Sequence, residues 1–155
     1  LTGLYNRVKL DSVLQENMSL SLRYGNIFSV IIIDIDFFKK INDNFGHQVG
    51  DDVLKECSYI LSQNIRNVDT LGRWGGEEFL VVCPETLKDG AKDLAIKLNK
   101  AIKLHKFSTY PHSVTISVGV ASCSVNDLNY DDIISNADKA LYEAKNNGRD
   151  RVEIF

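Results

Sequence analysis

The chain has little that would staple or stiffen it: two prolines, three cysteines and one tryptophan in 155 residues. Cys57, Cys83 and Cys123 are odd in number, widely spaced and set among apolar neighbours. They exclude a disulfide frame and a paired-ligand zinc site, and read as reduced core thiols in a reducing compartment. The opening residues LTGLYNR lack the charged and apolar regions of a signal peptide. The longest apolar run, Ile27 to Ile33, is too short to span a bilayer and contains a serine. There is no long basic tract either. Lys plus Arg total 18 against 21 Asp plus Glu, a net charge of −3. That argues against a broad phosphate-facing surface for nucleic acid. What remains is ordinary for a globular protein, with 44% hydrophobic and 25% charged residues and a length that fits a single core. Residues 1–155 are expected to form one cytoplasmic domain with no membrane contact of its own. The opening LTGLYNR is already patterned as folded structure, so a domain excised from a longer sensor protein is expected.

A helix is predicted over 5–24, with Leu4, Val8, Val13 and Leu14 as its apolar stripe and Gly25 as its stop. Ile27 to Ile35 is rich in β-branched residues and reads as a central strand buried on both faces. A short helix over 37–45 ends at Gly46. From Val49 to Arg66 the residues Val53, Leu54, Cys57, Ile60, Leu61 and Ile65 recur at helical spacing. Strands over 69–74 and 77–83 flank Gly75-Gly76, which predicts a hairpin closed by a two-residue turn with positive φ at both glycines. A helix over 87–105 follows. Val114 to Ser122 reads as a strand in which Val114, Ile116, Val118 and Val120 alternate with Thr115, Ser117 and Gly119. The last helix, 130–147, stops at Gly148, and 151–155 forms a terminal strand. The order α-β-α-α-β-β-α-β-α-β defines an α+β fold: a central mixed, mainly antiparallel sheet of about five strands flanked by helices.

Acids sit at the ends of two strands. Asp34 and Asp36, in IIIDID, share a face while their strand lasts, and Glu77 and Glu78 leave the glycine turn toward opposite faces. If the two strands are neighbours, Asp34 and one glutamate meet, as Mg²⁺ with a phosphate ligand requires: few hard oxygen ligands on a rigid edge. In FFKKINDNFGHQVGDD, Asn42, His47 and Asp51 bracket a turn between helices. A carboxylate and an amide so placed suit the donor and acceptor edges of guanine. Spacing alone favours Asp51 as an N-cap and Asn42 and His47 as plain turn residues. Lys145 and Arg149 complement a helix dipole or hold a triphosphate; their position allows both.

Together, LTGLYNR, DIDFFKKINDNFGHQVGDD, RWGGEEF, ISVGVA and ADKALYEAKNNGRD resemble, in order and spacing and across nearly the whole chain, the GGDEF family of diguanylate cyclases in its GGEEF form. The resemblance implies a palm or nucleotidyl-cyclase-like fold and the condensation of two GTP into cyclic di-GMP and two pyrophosphates. It implies that Asp34, the Ile35 carbonyl and Glu77 bind a pair of Mg²⁺ ions, with Mn²⁺ able to replace them. Glu77 or Glu78 would be the base for the 3′-hydroxyl. Asn42, His47 and Asp51 would contact guanine, and an adenine-specific relative is disfavoured by Asp51. Lys145, Arg149 and the backbone at Phe37, Phe38 and Lys39 would hold phosphates, and Gly75 and Gly76 would admit the nucleotide. A homodimer is implied for catalysis, since each domain supplies one GTP. Arg66 and Asp69 match the family's RxxD motif ahead of the signature, so product would bind there and inhibit, with Arg73 adding a contact. A degenerate GTP or cyclic di-GMP receptor is the competing class, but none of the signature acids or glycines is lost.

Overall fold

β1 (Phe28–Ile35) is buried at every position, which requires cover on both faces. It lies at the centre of a five-stranded sheet of order β2-β3-β1-β4-β5. The other strands are β2 (Thr70–Arg73), β3 (Glu78–Pro84), β4 (Ile116–Ser122) and β5 (Arg151–Ile154). β1 pairs antiparallel with β3 and β4, β2 antiparallel with β3, and β5 parallel with β4. The sheet is therefore mixed and mainly antiparallel, as the sequence predicts. This computed structural model describes all residues from Leu1 to Phe155.

Alternation along the strands divides the core in two. Ile31, Ile33 and Ile35 face one side with Phe79, Val81, Ile116 and Val118, beneath α2 (Phe38–Phe45), α3 (His47–Gln63) and α4 (Lys88–Leu104). Val30 and Ile32 face the other with Leu80 and Val82, beneath α1 (Arg7–Tyr24) and α5 (Tyr130–Asn146). Gly119 is where α5 comes closest: a Cβ there would stand 2.2 Å from the Ala137 carbonyl oxygen. Only a residue without a side chain lets helix backbone rest on β4. All three cysteines are buried free thiols.

Four details depart from the sequence expectations. α1 starts after an Asn6 cap whose side chain accepts from the Lys9 N–H, and Val8 is 75% exposed. Its buried face is Leu10, Val13, Leu14 and Met18, because only these point at the sheet. α3 begins at His47 on a Gly46 cap, so Asp51 lies inside the helix and caps nothing. β2 is shorter than expected, and no two-residue turn closes the hairpin. Trp74 and Gly75 N–H groups both donate to the Glu78 carbonyl, at 2.9 and 3.3 Å, making a wider loop. Neither Gly75 nor Gly76 has positive φ, because a wider loop does not need the primed-turn backbone.

Candidate active site

The C-terminal end of β1 opens into a cavity of about 190 Å³ lined by Asp34, Ile35, Asp36, Phe37, Phe38, Lys39, Glu77, Lys145 and Arg149. Three pieces of local structure bring these residues together. The Ile35 N–H donates to the Glu77 carbonyl at 3.3 Å, which ties the signature loop to the strand end. Phe37 takes a left-handed conformation (φ 55°), turning the chain at once from strand into α2. No side chain caps α2, so its first N–H groups remain free for an anion at the cavity they line. Lys145 comes from the last turn of α5, and Arg149 from the turn after it.

The charges at this end are poorly balanced. Asp34 is 7% exposed, and its carboxylate accepts from Lys145 Nζ at 2.5 Å. Burial nevertheless holds its pKa above the usual carboxylate value, with the neighbouring Asp36 acting in the same direction. Glu78 stands directly across from Asp34 in the strand register. Burial and the Asp34 charge raise its pKa as well. Asp138 on α5 is raised by burial, opposed by Arg7 and Lys145. Burial outweighs the nearby cations at each of these acids. The donor set of Asp34, Glu77 and a strand-end carbonyl is all hard oxygen, while no group of three His, Cys, Asp or Glu side chains gathers to hold a metal by itself. The oxygen donors fit Mg²⁺, which keeps few protein ligands and takes the rest from phosphate and water.

The second predicted group begins one turn further along α2 with Asn42, and its other members, His47 and Asp51, lie in α3. Asn42 follows Phe38 on the same face, and its side chain packs on Gly50 of α3. A Cβ at Gly50 would fall 1.8 Å from Asn42 Oδ1. Asp51 is the next residue, so the amide and the carboxylate flank one helix–helix contact, while His47 is exposed in the first turn of α3. At the hairpin, a Cβ on Gly75 would press on the Glu78 carboxylate at 2.7 Å, and the space beside Gly76 is open.

Arg66 and Asp69 meet at the far end of β2. Arg66 Nη2 donates to Asp69 Oδ1 at 2.8 Å and to Thr86 Oγ1 at 2.6 Å, and Arg66 Nε donates to Asp69 Oδ2 at 3.3 Å. Arg73 is not brought to this pair. It sits at the other end of β2, roughly 13 Å along an extended strand, with its guanidinium donating to the Gly76 carbonyl. The sequence reading gave no role to Gly50 as the seat of Asn42 or to Asp36 as a hydrogen-bond hub. The close spacing of IIIDID was the available signal for Asp36, but its partners Thr115, Ser117 and Asp150 are far away in the chain.

A family model described as "Diguanylate cyclase, GGDEF domain" matches residues 1–151. The chain belongs to the GGDEF family. Diguanylate cyclase DgcP of Pseudomonas aeruginosa is 39% identical over 156 residues, covering 99% of this chain and 23% of that protein. Response regulator PleD of Caulobacter vibrioides is 38% identical over 157 residues, covering 98% of this chain and 34% of that protein. This GGDEF domain thus spans about a quarter to a third of those relatives. Among solved structures, the active GGEEF domain of a diguanylate cyclase from Vibrio cholerae superposes with a TM-score of 0.93 at 37% identity. That match covers 98% of this chain and 97% of the other. The GGDEF domain of DgcB from Caulobacter crescentus, solved in complex with c-di-GMP, matches with a TM-score of 0.92 at 26% identity over 99% of this chain and 92% of that one. No helix is long and apolar enough to cross a membrane.

Proposed function

We propose that this GGDEF domain condenses two GTP molecules into cyclic di-GMP and two pyrophosphates. The observation that carries the reading is the cavity at the end of β1, where the carboxylates of Asp34 and Glu77, a free helix N-terminus and the cations of Lys145 and Arg149 converge. Asp34, Glu77 and the Ile35 carbonyl would hold Mg²⁺, which supplies charge stabilisation to attacking and leaving oxygens when bound. The chain's own groups do the rest. The α2 N-terminus, Lys145 and Arg149 bind the triphosphate and orient its α-phosphate. Asn42 and Asp51 select guanine, because adenine would leave their hydrogen-bonding groups unpaired. Glu77 accepts the proton of the 3′-hydroxyl, with Glu78 beside it. One such cavity accommodates one nucleotide, so the hydroxyl and the phosphate it attacks come from two domains facing each other in a homodimer. Arg66, half exposed and forked onto the buried Asp69 carboxylate, and Asp69 itself are the groups that would take the guanine of the product and lower the rate.

The test is separation of products by anion exchange after incubating the domain at high concentration with GTP and Mg²⁺. Cyclic di-GMP is expected from the parent, with a specific rate that climbs with protein concentration, and none from Glu77→Ala. Tight GTP binding without product, even after fusion to a dimerising coiled coil, would instead identify a nucleotide receptor. Inhibition by added cyclic di-GMP is expected to disappear in Arg66→Ala while the uninhibited rate stays.

A further inference from the structure

Asp36 takes no part in the chemistry above, yet it is only 6% exposed. Its carboxylate accepts three hydrogen bonds, from Ser117 Oγ at 2.6 Å, Thr115 Oγ1 at 2.8 Å and the Asp150 N–H at 3.0 Å. The two hydroxyls belong to β4 and the segment leading into it. The third donor belongs to the turn between α5 and β5, and that turn is unusual. Arg149 and Asp150 are consecutive non-glycine residues in the left-handed region, with φ of 63° and 46°. L side chains keep such a backbone only where their surroundings impose it.

The surroundings do so from two directions. From the sheet, Asp36 holds the Asp150 N–H. From α4, Lys103 Nζ and Asn99 Nδ2 donate to the Asp150 carboxylate at 2.6 and 3.3 Å. The Arg149 N–H donates back to the Ala144 carbonyl of α5 at 2.9 Å. Held in this way, the Arg149 guanidinium lies 4.7 Å above the Phe37 ring, at the cavity that also receives Lys145 and the start of α2. A relaxed backbone at 149–150 would carry the side chain elsewhere.

We propose that Asp36 is a positioning residue. Its carboxylate clamps the turn at 149–150 in the left-handed conformation and so aims Arg149 at the terminal phosphates of a nucleoside triphosphate. The inference rests on Arg149 being a phosphate ligand, as read under Proposed function. The clamp works through hydrogen-bond acceptance. In Asp36→Asn the amide oxygen still accepts from the Asp150 N–H while the NH₂ donates to Ser117 Oγ, which can accept. Asp36→Ala leaves the turn with no acceptor on the sheet side.

The experiment is calorimetric binding of 3′-deoxy-GTP, which lacks the attacking hydroxyl, and of GMP, both with Mg²⁺, to the whole chain. The readout is the ratio of the two affinities, which reports contacts to the β- and γ-phosphates. Arg149→Ala and Asp36→Ala are each expected to lower this ratio by roughly tenfold, the worth of a charge-assisted contact. Their combination is expected to go no further than Arg149→Ala, and Asp36→Asn to keep most of the ratio. A merely structural Asp36 would lower the melting midpoint, or weaken both nucleotides alike, and leave the ratio intact; that result overturns the proposal. If Arg149→Ala leaves the ratio intact, the phosphate role of Arg149 falls and the inference with it. Should Asp36→Ala not fold, Lys103→Ala decides from the exposed side of the clamp. A threefold fall in the ratio, absent in the Arg149→Ala background, supports the clamp, and an unchanged ratio overturns it.

Discussion

Asp34, Glu78 and Asp138 crowd around one lysine at the end of β1, and Lys145 gives its hydrogen bond to Asp34 alone among them. On the opposite face of the sheet, Glu56 of α3 accepts from His105 Nε2 at 2.7 Å, from Ser108 Oγ at 2.5 Å and from the Ser108 N–H at 3.0 Å. Both groups are partly buried acids, yet they are perturbed in opposite senses. Burial dominates at Asp34 and Glu78 and raises their pKa values. Burial also acts on Glu56, but the donors from Ser108 and His105 outweigh it and lower its pKa. The Glu56 cluster completes its own hydrogen bonding and pins the segment after α4. The cluster at β1 is left short of positive charge, a cost in stability that suits a site built to receive a metal ion with a nucleotide.

Substitutions at the two clusters should separate activity from stability. Asp34→Asn is expected to reduce cyclic di-GMP formation by at least about a hundredfold, the scale for losing a principal electrostatic group of an active site, measured by product separation at saturating GTP. The fold should survive it. The isosteric Glu56→Gln should behave in reverse, with product formed per folded molecule at the parental rate and stability lowered by about 1 kcal/mol at pH 7. An Asp34→Asn protein that keeps its rate, or a Glu56→Gln protein that loses it, would dissolve the contrast.

Next in size is Gly50→Ala. The methyl group cannot coexist with Asn42 Oδ1 at 1.8 Å, and the atom it meets is the tip of a side chain, which can swing away at little cost to the fold. The preference for 3′-deoxy-GTP over 3′-deoxy-ATP should fall by roughly tenfold, with little change in melting midpoint. In an Asn42→Ala background the same substitution should have no further effect on that preference.

The smallest effects are in pH dependence, and they differ in sign. The folded pKa of Glu56 lies below its unfolded value, so its contribution to stability is present above the unfolded pKa and lost as pH falls through the folded one. The deficit of Glu56→Gln in thermal melts should therefore shrink toward acid pH. The folded pKa of Asp34 lies above its unfolded value, so its ionisation works against folding as pH rises through the folded pKa. Without Mg²⁺, Asp34→Asn should equal or exceed the parent in melting midpoint at pH 8, and the difference should close on acidification. A midpoint gap that is flat with pH for both variants would mean that neither carboxylate is perturbed.

Element order, the centrality of β1 and the mixed sheet were legible because hydrophobic period and β-branching are local properties. An all-buried strand such as Phe28–Ile35 announces that both its faces are covered. The motif residues of the cavity were legible too, since Asp34, Glu77, Lys145 and Arg149 stand in signature stretches whose order is itself the signal. Turn geometry was less legible. Gly75-Gly76 fits a two-residue hairpin turn by composition, but the Glu78 carbonyl collects two N–H donors and widens the loop. Spacing favours Asp51 as a helix cap, but the helix begins at His47 and takes Asp51 inside it.

Which residues could form strands, helices and a charged site follows from side-chain shape, period and polarity over short stretches. What each charge would face depends on the packing of distant segments. Asp34 meets Lys145 across 111 residues, Asp36 meets Asp150 across 114, and Asn42 is seated by the absence of a Cβ on the facing helix. Whether a carboxylate is stabilised, strained or used as a clamp depends on the donors, the burial and the space around it, and these exist only once distant segments have packed together.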